Sequence, residues 1–365
     1  MNNNSFIKTN LMTTGIGSIP ESDAQKAIGF VNKFIRDIPF WPQLPNRCTG
    51  ENMIIQYAHC LPFVKIDREN NRLYVNEDVD WGTSLAELYD NIENERYETF
   101  ALTNKDAAGF YRFLDNYRHE KKIPITKGHV TGTLTLAVSI DDIAEKDYKR
   151  PKRIVHNETI MEILPDAVGM MGAWQVRKLS NIAEKIIVFI DEPALSDYGS
   201  EFHPVRQQPN RLKGFINQTV NRIKKAATNE SVYVGMHCCG DSTWEHWLDT
   251  DLDIMNFDCF SHWQHFYNRK EGIKDFINAG KVLAFGIVPT AKEKFENCTK
   301  EVLWNMLKRQ IKDLVDLGID EDRLIEQSMI TPACGFGSED LQICEKGFEM
   351  LMQVSEMAKK EYDTA

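Results

Sequence analysis

Downstream of residue 120 the chain alternates short apolar runs with longer stretches whose apolar positions recur three or four residues apart. The first pattern is that of a strand buried on both faces, and the second that of a helix with one buried stripe. Their alternation predicts repeated βα units around a parallel sheet. The expected strands are 124–130, 186–190, 232–236, 254–257, 282–285 and 327–330, and the expected helices 167–184, 212–227, 273–279, 300–317 and 339–360. An earlier strand at 12–19 leads into a helix at 21–36, and another strand within 53–59 would bring the count to eight. That count and length fit a single (β/α)8 TIM barrel. The stretch 39–77 breaks the rhythm: Pro39, Pro42, Pro45 and Pro62 punctuate it, and 63–76 alternates as a hairpin does. An N-terminal insertion or hairpin is therefore expected at about 39–77, inside one domain spanning 1–365.

An open doubly wound sheet shares this periodicity, but its dinucleotide fingerprint is missing. Thr14-Gly15-Ile16-Gly17-Ser18 lacks the third glycine, and Gly240 and Gly335 lack the GK[ST] ending of a phosphate loop. Charge narrows the partners further. The 365 residues hold 43 Lys plus Arg against 54 Asp plus Glu, a net −11, which repels a nucleic-acid backbone or an anionic membrane surface. A small molecule or a protein partner is expected, with no nucleic acid and no membrane. The first twenty residues contain no apolar core of a signal sequence, and no run approaches about 18 apolar residues, so a cytoplasmic location is expected. The 8 cysteines then read as thiols of a reducing compartment.

Chemistry gathers where the strands end. The strand 186–190 runs into Asp191-Glu192, 232–236 into His237-Cys238-Cys239-Gly240, 254–257 into Asp258-Cys259, and 327–330 into Thr331-Pro332-Ala333-Cys334-Gly335. In a barrel these carboxyl ends converge on one face. His237 and Cys239, two apart, point to the same side, and imidazole with thiolate suits zinc; Cys238 should point away. Cys334, closing the last strand, and Asp258, closing the next one, complete a candidate set of His237, Cys239, Asp258 and Cys334. Cys259, His262, His265 and Cys298 stand as substitutes, and a core histidine beside a buried cysteine is the plainer alternative for the pair alone. Asp191 and Glu192 are candidate catalytic carboxylates, since unpartnered acids at a sheet end are costly; the alternative is a carboxylate satisfying helix N-terminal amides. Trp244, Trp247 and Trp263 either wall the pocket or pack helices onto the barrel.

In order and spacing, the segments 14–18, 127–132, 190–194, 237–240, 251–258 and 331–335 resemble the barrel domain of cobalamin-independent methionine synthase. More widely they resemble the superfamily that also holds uroporphyrinogen decarboxylase and zinc-dependent corrinoid-to-thiol methyltransferases. The resemblance implies zinc at His237, Cys239, Asp258 and Cys334, with Asp258 where the synthases usually have Glu. It implies that Ile16 and Ser18 contact the carboxylate of a thiol amino acid, and that Asp191 receives its ammonium. The implied activity is a zinc-dependent methyltransferase acting on homocysteine or a related thiol, a step of methionine biosynthesis. Folate-using synthases are about twice this length, and 133–137 here lacks the tryptophan expected of them, which favours a methylcorrinoid protein as donor. A decarboxylase-like lyase and a non-catalytic corrinoid-protein partner are the rival readings; intact His237, Cys239 and Cys334 speak against the lyase.

Overall fold

The computed structural model describes residues 7–70, 72–119, 121–142, 152–196, 198, 208–295 and 298–364. Seven parallel strands form its centre: β1 (Met12–Thr13), β2 (Ile123–Thr131), β3 (Ala183–Asp191), β4 (Ser231–Cys238), β5 (Ile254–Phe257), β6 (Val282–Val288) and β7 (Ser328–Pro332). From β2 to β7 each strand pairs with its successor, and β7 pairs with β1. The sheet curls into a TIM-barrel-like α/β fold. Every residue of β6 is buried, as a parallel strand covered on both faces requires.

The gap between the two edge strands is filled by the segment 38–44. Ile38 N–H donates to Thr13 O, Lys127 N–H to Pro39 O, and Gln43 N–H to Gly17 O. Phe40 bridges Lys127 and Gln43 bridges Ser18, both in parallel sense. The ring is thus closed by an eighth, irregular strand. Its prolines lack the N–H groups that a regular ladder needs, which hides it from a search for alternating strands. The strand expected within 53–59 is instead the helix Met53–Ala58, whose N-cap Asn52 accepts from the N–H groups of Ile54 and Ile55. The alternating stretch that follows does form a hairpin, Val64–Asp67 against Arg72–Val75. It continues through Asp141–Asp142 and Lys152–Arg153 into a separate four-stranded sheet.

Two cores separate the layers. Ile16, Ile38, Ile125, Ile187, Phe189, Ile254, Val282, Ala284 and Met329 fill the barrel interior, while a larger cluster packs the helices on the outside. Trp244 and Trp247 belong to that outer cluster and Trp263 packs against it, so the tryptophans serve helix-to-barrel packing. None of the described helices is long and apolar enough to cross a membrane.

Gly235 on β4 makes room for Phe189: a Cβ there would lie 2.6 Å from the ring. Gly235→Val should therefore cost about 1–3 kcal/mol by forcing Phe189 off its rotamer. Denaturant unfolding measures this, and unchanged stability would refute the packing account.

Candidate metal centre

Pairing register sets the site. Thr131 of β2, Asp191 of β3, His237 of β4 and Asn256 of β5 are consecutive partners across four adjacent strands. Partners in a parallel ladder point to the same side, so this row stands together at the carboxyl end of the barrel, above the apolar filling.

His237, Cys239 and Cys334 come together there. One ring nitrogen and the two sulfurs lie within 4.8 Å of one another. Bond lengths of roughly 2.0–2.3 Å put the ligands of one tetrahedral zinc about 3.3–3.8 Å apart, so closure around an ion needs only a small inward movement. Cys238 points away and is buried in the outer core, as the two-residue period demands.

The histidine ring is held in one orientation. Its Nδ1 lies 2.5 Å from Asn256 Oδ1, and the Asn256 amide is itself oriented, because Nδ2 donates to Ala284 O at 2.9 Å and to Thr331 Oγ1 at 2.8 Å. Nδ1 of His237 therefore carries the hydrogen and donates, leaving the lone pair on Nε2. That Nε2 is buried and its polar neighbour is the Cys239 sulfur, which draws the ring toward its charged form. A metal ion between that nitrogen and the two sulfurs would satisfy all three. The sulfurs are prepared as well. The Cys334 thiol hydrogen-bonds to Cys239 and His237 stands beside it, and together they hold Cys239 far below the usual thiol range.

Asp258 is not in the group. Its Oδ1 accepts from Ser261 N–H at 2.8 Å and caps the helix Cys259–Tyr267. The side chain is one methylene shorter than the Glu of the synthases, and the cap holds it to its own backbone. The substitutes Cys259, His262, His265 and Cys298 do not join the group either.

The two candidate acids behave differently. Glu192 accepts at one oxygen from Leu134 N–H and at the other from Thr135 N–H and Thr135 Oγ1, at 2.7–2.9 Å. It thereby satisfies the N-terminal amides of the helix Thr133–Ser139, the alternative that the sequence left open. Asp191 keeps a buried Oδ1 without any partner. Burial pushes its carboxyl up to about 6, against the pull of His237 and Lys127. Ser18 sits beside the last strand's loop, accepting from Gly337 N–H at 3.2 Å, while Ile16 O accepts from Lys127 Nζ at 2.6 Å.

Sequence reasoning missed Asn256. Its signal was a lone polar residue in the run Ile254-Met255-Asn256-Phe257, two positions before Asp258.

A scan against protein-family models finds no match for this chain, and a search of curated proteins finds none either. Among solved structures it is similar to a B12-independent methionine synthase from Shewanella sp. W3-18-1 in complex with selenomethionine, with a TM-score of 0.60 and 12% identity over 97% of this chain and 99% of that one. A methyltransferase from Methanosarcina mazei also matches, with a TM-score of 0.48 and 12% identity over 98% of this chain and 95% of that one. At 12% identity, the Shewanella likeness establishes a shared fold.

Two outcomes check the site. Asn256→Leu should weaken zinc binding by about 10- to 100-fold in a competitive chelator titration, the usual cost of losing a partner behind a ligating histidine; unchanged affinity would refute the orienting role. Glu192→Gln should destabilise the fold by about 1–3 kcal/mol while leaving zinc content intact, because an amide N–H2 then faces backbone donors.

Proposed function

We propose that this protein is a zinc-dependent methyltransferase that moves a methyl group to the sulfur of a thiol amino acid, homocysteine or a close relative, with a methylcorrinoid protein rather than a folate as donor. The observation that carries the reading is the convergence of a ring nitrogen of His237 with the sulfurs of Cys239 and Cys334, all within 4.8 Å of one another. The shared fold with a methionine synthase that holds selenomethionine agrees with it.

In this reading His237, Cys239 and Cys334 hold the ion, and Asp258 serves as a helix cap. Zinc bound there would supply the positive charge that keeps an acceptor thiol deprotonated at neutral pH, where a free thiol with a pKa near 8.5 is mostly protonated. The protein does the rest. Asn256 fixes the imidazole, and the two cysteines offset the charge of the ion, which favours a nucleophilic sulfur over activation of water. Asp191 turns its free oxygen to the acceptor's ammonium, while Ile16 and Ser18 take the carboxylate, so that the sulfur is aimed at the donor methyl. A carbon–sulfur bond forms as the donor–carbon bond breaks, and the thiol proton leaves when the acceptor binds.

Elemental mass spectrometry should find about one zinc per chain, lost in Cys239→Ser and Cys334→Ser and kept in Asp258→Asn, which preserves the capping oxygen. Methyl transfer from methylcobalamin to homocysteine should vanish with the zinc. A zinc-free wild type, or activity indifferent to both cysteines, would overturn the reading. Loss of zinc in Asp258→Asn would return Asp258 to the ligand set.

A further inference from the structure

Strand β2 carries a lysine inside the barrel that the proposed chemistry leaves unused. Lys127 is wholly buried, among the largest side chains that the fold encloses completely. Inward positions on β2 follow the two-residue period: Ile125 belongs to the interior filling, and Lys127, His129 and Thr131 follow it on the same face. The Lys127 ammonium does not stay at the level of its own backbone. Nζ lies 4.6 Å from the ring centroid of Phe189 and 5.7 Å from that of Phe40, and donates to Ile16 O at 2.6 Å. In register, Lys127 pairs with Ile187 and His129 with Phe189, so the stem climbs one inward step. It places its charge beside Phe189, the residue directly beneath Asp191 on the same face of β3.

An ammonium in such a place is costly. Out of water it needs an opposite charge, and two aromatic faces with one neutral carbonyl offset only part of the penalty. Burial pushes the Lys127 ammonium down to about 8, and the charge that pulls the other way is Asp191. Asp191 is the mirror image: burial raises its carboxyl, while His237 and then Lys127 lower it. The remaining groups around Asp191 are acids whose charge and its own oppose each other: Cys239, Glu192, Tyr57 and Cys334. His129 stacks on Trp41, with ring centroids 3.9 Å apart, and burial and then Lys127 keep it neutral. As a ligand of a metal ion His237 would be neutral too, and two thiolates would cancel the charge of the ion. Lys127 is then the lasting cation beneath the carboxylate.

We propose that Lys127 is a positioning residue of the acceptor pocket: its ammonium, enclosed beneath Asp191, is the counter-charge that lets this carboxylate stand bare in a buried site and receive an ammonium group. The proposal rests on the reading that Asp191 takes the amino group of the acceptor, and adds the means by which the charge is kept there. Nothing donates to Asp191 Oδ1. The Ile16 carbonyl and the two rings hold the Lys127 ammonium one level lower, so that it supplies charge without occupying that oxygen. A lysine in direct contact with Asp191 would compete with the ligand for the same atom.

The test is calorimetric binding of two probes to the zinc-loaded protein: L-methionine, and 4-(methylthio)butanoic acid, which lacks only the amino group. The wild type should bind methionine at least tenfold more tightly. Lys127→Met and Lys127→Gln should each lower that preference about tenfold. Lys127→Gln keeps a donor for the Ile16 carbonyl, so a preference retained in this variant would make the lysine a mere anchor of that carbonyl and overturn its charge role. Asp191→Asn should lower the preference likewise, and Lys127→Met added to it should lower it no further, because the carboxylate on which the lysine acts is gone. Thermal melts examine the pair without any probe and decide the matter for a variant that does not load zinc. The melting-temperature losses of Lys127→Met and Asp191→Asn should sum to more than the loss in the double variant, which leaves no lone buried charge. Additive effects in the binding cycle and in the melts would overturn the pairing while leaving the acceptor reading standing. A zinc-loaded wild type that binds both probes equally, or neither, would overturn the acceptor reading itself.

Discussion

The row of residues at one level of the parallel ladder is the constraint from which everything else follows. Asp191 pairs with His237 and His237 with Asn256, so an acid, a ligand and the group that orients the ligand stand side by side on the same face of three strands. A slip of one residue in any of these pairings would turn the polar side chain outward and leave its partners buried and unsatisfied. The register is defended by the apolar layer beneath, where Phe189 fills the space left by Gly235. The candidate metal site is in this sense a product of barrel packing. Its third donor, Cys334, arrives because β7 lies against β1 and the ring brings both past the same mouth.

Around this row, polar groups divide into those that the fold satisfies and those that it leaves open. Glu192, Gln175 and Asn256 are buried and hydrogen-bonded. Oδ1 of Asp191 and both nitrogens of His129 are buried and open, and Nε2 of His237 is buried against the Cys239 sulfur. These three residues sit on β2, β3 and β4 toward the carboxyl end, where barrels place their chemistry. Unmet hydrogen-bonding capacity destabilises an empty protein and is recovered when a ligand arrives, which is why such groups mark a binding site more clearly than charge alone.

Much of this was legible in the sequence, for reasons that particular residues make plain. The run at 254–257 was found with its boundaries, because a short apolar strand between Asp253 and Asp258 has sharp edges. His237 and Cys239 were paired by the two-residue period, and Cys334 joined them through barrel closure. What escaped had weaker local signals. The strand at 38–44 is written in prolines, so its pairing comes from the two neighbouring strands and shows no pattern of its own. The apolar positions of 53–59 suit a strand as well as a helix, and the cap at Asn52 decides for the helix. Asp258 at a strand end reads equally as a ligand or as a helix cap, and only the backbone that follows distinguishes them.

In the proposed site two cysteine sulfurs and one imidazole hold a metal to which a thiol acceptor adds its own sulfur. X-ray absorption at the zinc edge tests it most directly, because it counts the atoms around the ion. Two sulfur neighbours at about 2.3 Å and one nitrogen at about 2.0 Å are expected in the resting protein, with a third sulfur appearing when homocysteine is added. A shell of nitrogen and oxygen alone, or a sulfur count that homocysteine leaves unchanged, would contradict it.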